Sequence, residues 1–246
     1  MWMNSIRERR LPDRLRLWTK SALKTAVHIP AIRAAARTSP AAAYRVLQSW
    51  SREQLGIFDI DVDVFEESAL SPERPYVFVH LNQTSLLEAF LLPRVLDRPL
   101  RVVVNWEFAC FPFAGPSVVA AGGLVVVRQW RAQATWMLRR AVDNLRRGES
   151  IAISIEGQRS PDGRLSRYRK GPVVMAIEAG ADLVPLYFEG ARELWPYGDW
   201  APRPGRVRAN LLRPISVRGL TYADRDRVLE QLRALARERL GHSPLS

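Results

Sequence analysis

Short apolar runs alternate with longer segments of helical period along this chain. Tyr76-Val77-Phe78-Val79 and Ile151 to Ile155, the latter interrupted only by Ser154, are apolar stretches of strand length, the pattern of strands buried on both faces. Phe58, Ile60, Val62 and Val64 alternate with Asp59, Asp61 and Asp63, which predicts a half-exposed strand. Its carboxylates are spread along one solvent face and do not converge on a metal. Arg101 to Asn105, Leu124 to Arg128 and Arg206 to Val217 carry further strand character. Helices are predicted over Trp130 to Arg147, ending at Gly148, over Gly171 to Ala179, ending at Gly180, and over Ala223 to Leu240. Ala201-Pro202-Arg203-Pro204-Gly205 is a loop, and no internal repeat is present. This alternation predicts an α/β fold with a central mixed, largely parallel sheet flanked by helices.

The first 55 residues follow a different pattern. Leu11, Leu15, Trp18 and Ala22 fall at helical spacing, while Arg9, Arg10, Arg14, Arg16, Lys20 and Lys24 supply charge to the remaining surface. A basic helix with Leu and Trp on one side suits an anionic bilayer interface. Ser39-Pro40 caps a second helix running to about Leu55, with Ala43, Val46, Leu47 and Trp50 inward. The expected organisation is therefore a basic, helical membrane-surface element at 1–55 and an α/β domain at 56–246. Phe108 to Val127 is long enough to span a bilayer and carries no charge, but Pro112, Gly115, Pro116, Gly122 and Gly123 interrupt it. A broken helix leading into a short strand is expected there. Charges interrupt every N-terminal apolar run, so no secretory signal is read, and a peripheral protein on the cytoplasmic face of a membrane is expected.

Charge and cysteine content narrow the classes. The net charge is +12, and residues 1–50 hold ten basic residues against Glu8 and Asp13. A pI of 10.8 and eight tryptophans raise nucleic-acid binding as a reading. Against it, much of the charge sits on one amphipathic segment and no nucleic-acid motif is present, so no nucleic-acid partner is expected. The single cysteine, Cys110, excludes an internal disulfide and a thiolate metal cluster. His28, His80 and His242 suggest no metal site.

The densest chemistry follows the Ile151–Ile155 strand. Glu156-Gly157-Gln158-Arg159-Ser160 leads into Pro161-Asp162-Gly163, a turn able to set backbone N–H groups and a guanidinium fork around an anion such as phosphate. Four more elements follow: Asp162-Gly163-Arg164-Leu165, Lys170-Gly171, Ala176-Ile177-Glu178-Ala179-Gly180 and Val184-Pro185. In this order and spacing they resemble the phosphate-binding half of the glycerophospholipid acyltransferase family, which includes the 1-acylglycerol-3-phosphate acyltransferases. Upstream, Gly123 to Arg128 is similar to that family's second block, a glycine and apolar strand ending in arginine. The resemblance runs from about Ile57 to Pro214. It implies that Arg128 and Arg159 contact the substrate's phosphate, that Gly157 shapes the turn, and that Glu156 braces the arginine and loop backbone. Lys170, at a helix start, fits a second phosphate contact, with a solvated surface lysine as the alternative.

The first block departs from the family. Where the family carries N-H-x-S-x-x-D, with histidine as base and aspartate orienting it, this chain reads Asn82-Gln83-Thr84-Ser85-Leu86-Leu87-Glu88. A lysine usual before the family's E-L pair aligns with Asn105. Gln83 keeps hydrogen-bonding shape but takes no proton at ordinary pH. Three readings stand: Glu88 is the base, its pKa raised by Leu86, Leu87 and Phe90; His80 serves from three residues upstream; or no base survives and the protein binds lipid without turnover. The expected function is acyl transfer from acyl-CoA or acyl-carrier protein to a lysophospholipid or glycerol-phosphate acceptor, with no bound cofactor. A silent lipid-binding protein of the same fold is the alternative. The expected partners are an anionic membrane surface, the lysophospholipid and acyl-carrier protein.

Overall fold

The structure is a computed structural model that describes residues 10–111 and 114–241. The basic residues before Arg10, the helix-interrupting Pro112, and His242 lie outside the described residues. In chain order the elements are α1 (Leu11–Ala36), α2 (Pro40–Ile57), β1 (Ile60–Glu66), β2 (Val77–His80), α3 (Glu88–Val95), β3 (Leu100–Asn105), α4 (Trp106–Ala109), α5 (Ala114–Ala120) and β4 (Leu124–Val126). They continue with α6 (Arg131–Arg146), β5 (Ser150–Ser154), α7 (Gly171–Ala179), β6 (Leu183–Glu189), α8 (Ala191–Leu194), β7 (Gly205–Leu211) and α9 (Arg225–Leu240). The seven strands form one sheet in the order β1-β7-β6-β2-β5-β3-β4. All neighbours are parallel except β6 and β7. The α/β class and mixed, largely parallel sheet are as the alternation predicts.

β2 is fully buried because sheet neighbours flank it and a helical layer covers each face. Alternation sends Phe78 into one core, shared with Trp50, Phe90 and Trp195, and Val77 and Val79 into the other, shared with Met137, Val173 and Leu232. His80, two residues after Phe78, shares the face of the first core. Ser39 caps α2 by accepting from the Ala42 N–H at 3.1 Å, with Pro40 opening the helix, and Ala43, Leu47 and Trp50 are buried as their spacing requires. Val46 is only half-buried.

Two expectations change. Trp18 does not join an exposed stripe with Leu11 and Leu15. It turns inward against Phe58 and Trp195, and Leu11, Leu15, Leu23 and Val27 form the exposed apolar row instead. The face turned to the protein carries buried Ser21 and Thr25, held by Gln54 and the Trp50 indole of α2. Satisfied polar groups there substitute for the apolar residues that periodicity alone would demand. The last strand is also shorter than Arg206–Val217, since β7 ends at Leu211 and Pro214 lacks a ladder donor. The broken helix after β3 is present as α4 and α5. Among the described residues no helix is long and apolar enough to cross a membrane.

Candidate active site

Two turns leave the C-terminal ends of adjacent central strands and clasp each other. The first follows β2 and the second follows β5, and the strands pair His80 with Ser154. Gln83 is held by its main chain on both sides: its N–H donates to Glu156 Oε2 at 3.1 Å, and its carbonyl accepts from the Ser160 N–H at 2.7 Å. Glu156 Oε1 takes the Ser166 N–H at 2.6 Å, so one buried carboxylate joins three segments of loop. Asn82 Nδ2 adds a bond to the Gly163 carbonyl at 2.8 Å. Burial raises the Glu156 pKa, and the two backbone donors partly offset this. Gly157 has φ +70°, the left-handed conformation that glycine adopts without penalty. Arg128 donates to its carbonyl.

Glu88 opens α3. From there its Oε1 folds back to accept the Thr84 and Ser85 N–H groups at 2.9 and 3.0 Å, satisfying donors the helix leaves open. Its other oxygen, Oε2, is buried and has no hydrogen-bond donor among the described residues. His80 Nδ1 approaches Oε2 to 3.2 Å. The imidazole also meets the Phe188 ring edge-on, and its Nε2 is buried without a partner among the described residues. Burial is the largest influence on both groups. It pushes Glu88 up to about 8, against the opposing pull of the Thr84 and Ser85 donors and of Arg159, and it lowers His80 to about 3. Both shifts favour the uncharged forms, because each charge would stand in a buried, apolar surrounding.

The structure thus gathers His80, Gln83, Glu88, Arg128, Glu156, Gly157 and Arg159 around the two clasped turns. The Gln83 side chain is half-buried and makes no hydrogen bond among the described residues. Lys170 stands apart. Its ammonium binds Asp226 at the start of α9, 2.7 Å away. Asn105, at the aligned lysine position, donates to Glu107, which also lies 3.8 Å from Arg128 Nη2. Sequence reasoning missed two participants on the β6–β7 connection. The Trp195 carbonyl accepts from Ser85 Oγ at 2.9 Å, and the Tyr197 ring lies beneath the Arg159 guanidinium, 4.4 Å from carbon to centroid. Their only sequence signal is an aromatic cluster, Trp195, Tyr197 and Trp200, in a segment that otherwise reads as loop.

The profile of the family described as Acyltransferase matches residues 61–189, more than half of the chain and both clasped turns. The chain belongs to this family. A 1-acyl-sn-glycerol-3-phosphate acyltransferase from Pseudomonas aeruginosa is 28% identical over 172 residues, covering 68% of this chain and 66% of that protein. The chloroplastic 1-acyl-sn-glycerol-3-phosphate acyltransferase LPAT1 of Arabidopsis thaliana is 27% identical over 150 residues, 61% of this chain and 42% of that protein. The matched region therefore spans just under two thirds of the first acyltransferase and less than half of the second. Among solved structures, the 1-acyl-sn-glycerophosphate acyltransferase PlsC from Thermotoga maritima superposes with a TM-score of 0.73. That match covers 93% of this chain and 96% of PlsC at 20% identity, which establishes the shared acyltransferase fold.

Proposed function

We propose that the chain transfers a fatty acyl group from a thioester donor, acyl-CoA or acyl-carrier protein, to the free hydroxyl of a lysophosphatidic-acid-type acceptor. Glu88 Oε2 carries this reading: it takes none of the backbone donors that hold Oε1, faces only the His80 imidazole at 3.2 Å among the described residues, and belongs to a buried carboxyl whose pKa is raised to about 8. A carboxyl group tuned towards neutral pH is a competent proton acceptor at a site that lacks the family's histidine. In the proposed reaction the acceptor hydroxyl attacks the thioester carbonyl carbon and its proton passes to Glu88 Oε2. The carbon–sulfur bond breaks, and the leaving thiolate takes the proton back from Glu88. The Gln83 amide hydrogen-bonds the hydroxyl, and Arg128 and Arg159 hold the phosphate.

The same reading places the protein peripherally on a membrane. The exposed Leu15–Leu23–Val27 row of α1 runs beside exposed Arg16, Lys20 and Lys24, a pairing suited to the interface of an anionic bilayer.

The test is acyl transfer from labelled acyl-CoA and acyl-carrier protein into a panel of lysophospholipids. Glu88→Ala and Glu88→Gln are expected to lose on the order of a hundredfold or more in rate while keeping the wild-type circular dichroism, and His80→Asn to retain turnover. Loss in His80→Asn with retention in Glu88→Gln would transfer the role to the imidazole. No turnover across the panel, alongside measurable lysolipid binding, would make the protein a silent lipid binder.

A further inference from the structure

Arg159 makes no ion pair with a carboxylate among the described residues. What holds it is the face of Tyr197, with the guanidinium carbon 4.4 Å from the ring centroid, while Glu88 adds a longer-range attraction. Tyr197 is 54% exposed, and an exposed side chain on a loose loop would hold nothing in place. This loop is not loose. Trp195 is buried in the first core, stacked on Phe90 with ring centroids 6.3 Å apart, and its indole N–H donates to the Asp199 carbonyl at 2.9 Å. Asp199 in turn binds Arg203 at 3.0 Å, closing the turn around Tyr197. Two external ties anchor the segment. Ser85 Oγ reaches the Trp195 carbonyl from the first clasped turn, and the Trp18 indole of α1 donates to the Trp200 carbonyl at 3.0 Å.

We propose that Tyr197 is a positioning residue for the acceptor's phosphate monoester: its ring is a fixed platform that presents the Arg159 guanidinium to the anion. The inference rests on the reading of Arg159 as a phosphate ligand. A cation over an aromatic face keeps its N–H donors in the ring plane's direction and leaves them available to an anion, whereas a carboxylate partner would occupy them. An arginine held this way loses less side-chain freedom when the phosphate arrives, so the platform contributes through pre-organisation.

Binding, not turnover, gives the decisive test. Sub-micellar short-chain lysophosphatidic acid and the matching monoacylglycerol, which lacks the phosphate, are titrated into the full chain and its variants. Tyr197→Ala is expected to weaken lysophosphatidic acid binding about threefold to thirtyfold. Tyr197→Phe is expected to bind like wild type, and monoacylglycerol binding to be the same in all variants. The double variant with Arg159→Ala is expected to be no weaker than Arg159→Ala alone, because the ring acts through the guanidinium. If Arg159→Ala weakens lysophosphatidic acid binding and Tyr197→Ala does not, the platform role is overturned and the phosphate reading stands. If Arg159→Ala itself has no effect, both fall. A loss in Tyr197→Phe as large as in Tyr197→Ala would assign the role to the hydroxyl, overturning the platform.

Discussion

Glu88 and His80 sit within 3.2 Å of each other, and burial pushes their pKa values in opposite directions. Glu88 is raised in the folded chain, so its contribution to stability is complete below its unfolded value near 4.5 and is lost as pH rises through about 8. His80 is lowered, so its contribution is complete above its unfolded value near 6.5 and is lost as pH falls through about 3. Denaturant unfolding at pH 6 and pH 9 should therefore show an alkaline loss of stability in the wild type that Glu88→Gln reduces. If Glu88 accepts the proton in catalysis, kcat/KM rises with pH and levels off above about 8, since only the carboxylate form is active. A profile that levels off near pH 6 would point to another group. The sequence exposed Glu88 as a candidate through its place in the first block. It could not expose the pairing with His80, because the seven intervening residues decide whether strand end and helix start meet. Nor could it show that Oε1 is held by Thr84 and Ser85 while Oε2 is left facing the imidazole.

At the scale of elements, the clasp between the post-β2 and post-β5 turns depends on one carboxylate and one glycine conformation. Glu156→Ala leaves the Gln83 and Ser166 N–H groups without their acceptor, and a loss of about 2–5 kcal/mol in denaturant stability is expected. Gly157→Ala tests conformation alone. An added Cβ would meet Arg128 and Arg169 only at ordinary contact distances of 3.7 and 3.8 Å, so the expected loss of about 1–2 kcal/mol comes from the left-handed backbone. Elements with strong local signals were legible in advance: α2 from Ser39-Pro40, β2 from its unbroken apolar run, α7 from Gly171 to its left-handed end at Gly180. The orientation of α1 was not. Its period admits more than one face, and the choice is made by Gln54 and Trp50, residues of another helix that supply partners for Ser21 and Thr25.

For the whole molecule, the proposed membrane surface follows from that orientation. With Trp18 committed to the interior, vesicle binding should depend on the outward row. Leu15→Ser with Leu23→Ser is expected to weaken partitioning into anionic vesicles. Arg16→Glu and Lys20→Glu are each expected to reduce it by about fivefold or more, an effect that added salt diminishes. Equal binding to neutral and anionic vesicles would remove the electrostatic part of the proposal.

The clasp at Gln83 has a consequence for how such a scaffold diverges. Position 83 contributes its peptide N–H and carbonyl to folding, and its side chain makes no hydrogen bond among the described residues. Inheritance of the fold therefore places little demand on which side chain stands there. A lineage can exchange the residue at the centre of its chemistry while every strand, turn and helix stays in register, and the exchange should be reversible. Gln83→His is accordingly expected to unfold within about 0.5 kcal/mol of the parent.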